Sequence, residues 1–250
     1  MKKLLIRADD LGYSRGVNYG IADSLKGGLL KTVGVMVNMP ATVHGLDLLK
    51  GMDLCLGQHT NITAGKPITN PSKIPSITTS DGFFRSSTEY RQAKEDFVVL
   101  DEVVLEIEAQ YERFCELTGE QPRYFEGHAV ASENYFRGLK IVAERHGLRH
   151  CDMDLGFTEI QFDTTRILIH MEGMLPNYNP VEAIVRAANV ETDACNMYVC
   201  HPGYLDAYIL QNSTLTMPRV YEVEALCSTE LRERLEELDV KLITLDDLPR

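Results

Sequence analysis

Short aliphatic and β-branched runs recur along this chain at 3–8, 32–37, 53–57, 124–126, 148–151, 167–169, 197–200 and 241–244, with helical patterns between them. Strand and helix in alternation predict parallel βαβ units, because parallel neighbours need a long crossover and a helix makes it compactly. Eight such runs in 250 residues predict one α/β domain over 1–250, a TIM-like (βα) barrel, regular or distorted, of seven or eight parallel strands. The run at 167–169 is the weakest.

Caps and periodicity place the helices. Ser14 precedes the stripe Val17, Ile21 and Leu25, which ends at Gly27-Gly28, and Ser132 opens Phe136, Leu139 and Ala143, closed by Gly147. Phe97, Leu100, Val104, Ile107, Tyr111 and Phe114 recur at three and four residues. They predict one long core helix from about residue 89 to 117, stopped at Gly119. Asn179-Pro180 and Ser228 mark two further starts. The stretch between His59 and Glu89, rich in Thr, Ser, Pro, Gly and Asn, is too long for a routine βα connection and predicts a lid or a binding loop.

Charge and cysteine usage exclude several classes. A net charge of −12 and a pI near 5.0 argue against a nucleic-acid partner, which needs clustered Lys and Arg to displace counterions. The opening apolar stretch is cut short by Arg7, Asp9 and Asp10, so it reads as a first strand and not as a leader. No apolar run reaches the length of a membrane span, and the expected location is cytoplasmic. Six cysteines, at 55, 115, 151, 195, 200 and 227, form no CxxC pair and are expected to be reduced. Cys200 beside His201 does not read as a nucleophile with its base, because adjacent strand residues face opposite sides.

The polar residues fall at one end of the strands. The first run ends in Asp9-Asp10, the third leads to His59, the fourth to His128 and the seventh to His201. Parallel barrels carry their chemistry at the carboxyl ends of strands, where loops converge on one mouth. Two adjacent carboxylates repel unless a cation or a proton intervenes, and two imidazoles with a carboxylate make a divalent metal site that keeps positions open. Taken singly, Asp9-Asp10 reads as a cap, His59 as a loop residue and His201-Pro202-Gly203 as a turn. Independent caps and turns have no reason to share one end of several strands.

Four segments, RADDLGYS (7–14), GQHTNITAGKPI (57–68), PRYFEGH (122–128) and HPGYLD (201–206), and the tail 212–248 together resemble the YdjC/ChbG carbohydrate (chito-oligosaccharide) deacetylases over nearly the whole chain. The resemblance implies a metal-dependent hydrolase that removes an acetyl group from N-acetylated sugars. It implies that Asp10, His59 and His128 hold one divalent ion, Mg2+ by resemblance with Zn2+ as the alternative that ligand chemistry favours. Asp9 would be the general base and His201 the general acid.

One departure stands out: the His-rich run common in the family after the third ligand is replaced by Ala129-Val130-Ala131-Ser132, which changes the pocket lining and puts the usual chito-oligosaccharide substrate in question. With no Trp in the chain, Tyr13, Phe83, Phe84, Tyr178 and Tyr204 are the available sugar platforms. Asn61, Tyr178, Tyr204 and Arg219 are the candidate substrate-binding residues. The expected partner is a small acetylated sugar or oligosaccharide, and the chain is a candidate homodimer. Competing readings are a phosphoesterase or iron oxygenase on the same ligands, or a catalytically silent sugar-binding protein.

Overall fold

β1 (Lys2–Leu11) runs through the middle of the sheet. The computed structural model describes residues 2–128, 130, 132–152 and 158–250. After β1 come α1 (Arg15–Lys26), β2 (Thr32–Val35), α2 (Thr42–Leu48), β3 (Cys55–Thr60), α3 (Ser87–Gln92), α4 (Leu100–Thr118), β4 (Phe125–Gly127) and α5 (Glu133–His146). The second half holds β5 (Cys151–Asp152), β6 (Glu159–Phe162), β7 (Thr165–His170), α6 (Pro180–Asn189), β8 (Cys195–Cys200), α7 (Ala207–Asn212), α8 (Met217–Cys227), α9 (Thr229–Glu237) and β9 (Val240–Ile243).

The strands lie in the order β4-β3-β2-β1-β8-β7-β6-β5. A parallel bridge between Phe125 and His150 draws the two ends of this row together, so the sheet is a nearly closed, mostly parallel barrel. β9 pairs with Lys2 to Leu5 of β1, and β2 takes over the same edge from Arg7 onward. Strand pleat sorts the side chains. Leu5 of β1 joins Cys55, Tyr124, Ile167, Met197 and Ile243 inside the barrel, whereas Leu4, Ile6 and Ala8 pack outward with α1, α6 and α9 residues such as Val17, Ile21, Ile184 and Leu235.

The expected starts and stops are in place: Ser14, Ser132, Asn179 and Ser228 each accept a backbone N–H as N-cap, and Gly119 and Gly147 end their helices at φ 79° and 61°. All six cysteines are free, and no helix among the described residues is long and apolar enough to cross a membrane.

Two expectations need correction. The long helix predicted over 89–117 is two helices, because a Ser86–Glu89 capping box starts α3 and the chain turns extended at Ala93 before α4 begins. Nor are all strands parallel: β6, absent from the sequence reading, pairs antiparallel with both β5 and β7. Phe162 faces Thr165 across a two-residue turn in which Asp163 takes φ 50°, a conformation Asp tolerates. Glu159 and Gln161 are exposed while Ile160 and Phe162 are buried, so this hairpin covers the barrel on one face only.

The loop after β3 is fastened along one face of α4. Gln110 accepts from Asn61 N–H and donates to its carbonyl, Glu106 accepts from Ile68 and Thr69 N–H, and Glu102 accepts from Ser76 N–H. Residues four apart stand on one helix face, so three successive side chains turn the loop into a fixed wall beside the barrel mouth.

Candidate metal centre

Strand alternation delivers most of this centre. Arg7 and Asp9 follow Leu5 on the inward face of β1, His59 follows Cys55 on β3, and Glu126 and His128 follow Tyr124. By the same alternation Asp10 would face the outer helices. It does not, because Asp10 adopts φ 76° and the register between β1 and β2 shifts between Ala8 and Leu11. A left-handed residue at a bulge re-aims its side chain, and both carboxylates of the pair therefore address the mouth.

Asp10, His59 and His128 offer one ligand atom each, all within 4.8 Å of one another. His59 Nε2 lies 2.8 Å from His128 Nδ1, and Asp10 Oδ1 lies 3.4 Å from the former and 3.2 Å from the latter. Asp10 is fully buried, and among the described residues its Oδ1 has no hydrogen-bond partner. A buried, unpartnered carboxylate oxygen facing two imidazole nitrogens is costly alone and fits a cation.

Two of the three residues are braced from behind. Glu126 Oε1 lies 2.5 Å from His59 Nδ1, so the ring donates Nδ1–H and turns Nε2 toward His128 and Asp10. Arg219 Nη2 donates to Asp10 Oδ2 at 2.7 Å. Burial alone would raise the Asp10 carboxyl, but Arg219 and the two imidazoles overcome it and hold it well below the usual range. Burial likewise opposes charge on His59, and Glu126 and Asp9 reverse that and hold it well above the ordinary value.

Asp9, His59 and Glu126 form a second cluster with ligand atoms within 4.8 Å. Its positive charge is already supplied, for Arg7 donates to both oxygens of Asp9 at 2.8 and 2.7 Å and lies 3.5 Å from Glu126 Oε2. Of the two clusters, the one with Asp10 is therefore the better candidate for a cation, and Asp9 is held next to it on a bidentate clamp.

His201, just past β8, is held by its backbone: its N–H donates to Glu222 Oε2 at 2.7 Å and its carbonyl accepts from Arg219 Nη1 at 3.3 Å. Burial drives its imidazole down to about 4, with Asp10 pulling the other way and Arg219 adding to the fall. Burial also raises the Glu222 carboxyl to about 7 against the opposing hydrogen bonds from Tyr178 and His201.

The four candidate substrate-binding residues are placed differently from one another. Asn61 is buried and spends its amide on Asn38, Thr63 and Ala64, organising the wall loop. Arg219, 2% exposed, braces Asp10. The Tyr178 hydroxyl bonds Tyr198 and Glu222, behind His201. Tyr204 is 38% exposed and donates to Asp23 on the third turn of α1. Of the expected platforms, Tyr13 stands at the centre, edge-on to the His128 ring at 6.4 Å and beneath the Arg219 guanidinium at 5.7 Å. Phe84 is buried, and Phe83 lies under Lys66 in the wall loop. Of the departing segment after His128, positions 129 and 131 lie outside the described residues, and Val130 is buried in the α4/α5 core.

Sequence reasoning passed over Arg7, Glu126 and Glu222. The first two carried a signal: Arg7 and Asp9, and Glu126 and His128, are charged or ionisable pairs two apart in otherwise apolar strands, hence on one inward face. Glu222 carried none, for it sits among many helical glutamates.

Residues 3–237 match the family model described as YdjC-like protein. The chain is 36% identical over 261 residues to carbohydrate deacetylase 2 of Listeria innocua serovar 6a, covering 99% of each chain. It is 28% identical over 253 residues to the chitooligosaccharide deacetylase of Salmonella paratyphi C, covering 94% of each. A crystal structure of a putative cellobiose-phosphate cleavage protein from Enterococcus faecalis V583 has the same fold, with a TM-score of 0.84 at 23% identity, over 100% of this chain and 99% of that one.

Proposed function

This chain belongs to the YdjC-like family, and on that premise we propose that it is a metal-dependent deacetylase that hydrolyses the amide of an N-acetylated sugar or short oligosaccharide. The observation that carries this reading is the buried, unpartnered Oδ1 of Asp10 directed at the ring nitrogens of His59 and His128. The names of the deacetylase relatives support the substrate class.

Asp10, His59 and His128 would hold one divalent ion. Such an ion polarises an acetyl carbonyl and acidifies water, the Lewis-acid part of the chemistry. Two imidazoles favour zinc or a similar ion over magnesium, which prefers oxygen donors; elemental analysis of the purified protein decides between them.

The other steps fall to the chain's own groups. Asp9 takes a proton from the attacking water, its carboxylate aimed by the two bonds from Arg7. The water oxygen joins the acetyl carbon, the C–N bond breaks, and His201 delivers a proton to the departing nitrogen. With its imidazole lowered to about 4, His201 rests neutral near pH 7, so the proton that Asp9 takes from the water is relayed to His201 before it reaches the departing nitrogen, and both groups end the cycle as they began. The products are acetate and a free amine.

The test is acetate release from N,N′-diacetylchitobiose by the purified protein, before and after chelation and with zinc or magnesium restored. Release that stops on chelation and returns with one ion is the expected result. Sugar binding with no acetate under any ion, or turnover of phosphate esters instead, overturns the reading.

A further inference from the structure

Residues 201–206 belong to no helix or strand, yet they carry His201 to the mouth. One turn of α8 holds the start of this segment, while α1 holds its end, where the Gly16 carbonyl accepts the Tyr204 N–H at 3.0 Å and the Gly16 N–H donates to Asp206 Oδ2 at 2.8 Å. Glu222 Oε2 accepts the His201 N–H at 2.7 Å, Arg219 Nη1 donates to the His201 carbonyl at 3.3 Å, and the Arg219 carbonyl accepts the Gly203 N–H at 3.1 Å. The same guanidinium donates to Asp10 Oδ2 at 2.7 Å and through Nε to the Leu215 carbonyl at 2.9 Å. Both side chains are buried, and residues three apart share a helix face.

The geometry points to Arg219 and Glu222 as positioning residues that together set the distance between the metal-holding carboxylate and His201. Arg219 is common to both sides of that distance; Glu222 acts on the His201 side alone. Its second oxygen accepts the Tyr178 hydroxyl at 2.8 Å, and that hydroxyl meets Tyr198 at 2.6 Å, so the carboxylate is itself held from β8 and from the segment that follows β7. A buried carboxylate is expensive, and a backbone N–H alone does not need one. Fixing the His201 peptide to within a fraction of an ångström does, because a displacement of about 1 Å can cost roughly 100-fold in rate.

This inference rests on the role proposed above for His201, and the two fail separately. In E222A, the kcat for acetate release from N,N′-diacetylchitobiose should fall about 10- to 100-fold with KM little changed. Zinc affinity of the metal-free protein, titrated by calorimetry, should stay at the wild-type value. E222Q keeps an acceptor for the His201 N–H and should restore kcat. R219A should lower kcat and weaken zinc binding by about 10- to 100-fold. If E222A does not fold, E222M fills the space without an acceptor and is read in the same way. Wild-type kcat in E222A or E222M, loss of zinc affinity in either as large as in R219A, or damage in E222Q equal to that in E222A would overturn the inference. If the wild-type protein releases no acetate, the functional reading is what fails, and the zinc titrations still decide whether Arg219 acts on Asp10 while Glu222 does not.

Discussion

Glu126 stands behind His59, its Oε1 2.5 Å from the ring's Nδ1, and so leaves Nε2 as the atom that meets His128 and Asp10. Neither residue does this alone. The carboxylate needs the imidazole and Arg7 to remain charged in the barrel interior: burial would raise it, and those two partners hold it below its ordinary value. The ring needs the carboxylate to choose its tautomer.

Removing that brace should therefore act on metal before it acts on sugar. E126A is expected to weaken zinc binding by about 10- to 100-fold, with E126Q, which can still accept the Nδ1 proton, falling between it and wild type. Calorimetric titration of the metal-free proteins measures this. Equal affinity in all three would mean that His59 is oriented by packing alone.

Arg7 compensates two buried carboxylates at once, Asp9 and Glu126. R7M leaves Asp9 without its clamp and Glu126 with His59 alone, and should cost about 3–5 kcal/mol of unfolding free energy, read as a lower urea midpoint. R7K should recover little, since a single ammonium cannot reproduce the paired bonds to Asp9. A midpoint within error of wild type for R7M would show that the carboxylates find water or protons instead.

Gly34 is the thin place in the wall of this centre. A Cβ there would lie 3.1 Å from Asp9 Oδ1 and 3.1 Å from His59 Cβ, and neither neighbour can retreat freely, one clamped by Arg7 and the other by Glu126. G34A should thus lower kcat for acetate release by roughly 10-fold while costing only about 1–3 kcal/mol in stability. Unchanged kcat in a folded G34A would show that the interior network yields more readily than its hydrogen bonds suggest.

Stability should carry a pH signature from Glu222. Its carboxyl is raised from the ordinary 4.5 to about 7 by burial, so the folded state binds this proton more tightly than the unfolded chain does. The contribution is fully present below about pH 4.5, is lost as pH rises through about 7, and is flat above. E222Q removes the slope. Relative to wild type it should gain up to about 3 kcal/mol between pH 4 and pH 8, measured by urea unfolding at both values. Parallel stability curves for the two proteins would place the Glu222 titration elsewhere.

Much of this arrangement was legible in the chain. Hydrophobic runs marked eight of the nine described strands because burial on both faces demands continuous apolar residues, and caps at Ser14, Ser132, Asn179 and Ser228 marked helix starts because the donors they satisfy are local. The hairpin of β6 and β7 escaped notice: Glu159 to Phe162 alternates over only four residues, and its turn is Asp163-Thr164, without the glycine that usually announces one. The break in the helix at Ala93 escaped because the apolar spacing runs on through Phe97 regardless of where the backbone hydrogen bonds stop.

By itself the sequence determined the alternation that makes a barrel, the ionisable residues placed at its strand ends, and the two-residue spacing that puts Arg7 with Asp9 and Glu126 with His128. Those properties depend on residues close together in the chain. Only the tertiary structure decided that Asp10, turned by its positive φ, joins His59 and His128. It likewise decided that Arg219 and Glu222 from α8 hold Asp10 and His201 in place. Such pairings join residues up to 209 positions apart, and their geometry comes from how the barrel closes and how α8 packs against it, which no local pattern records.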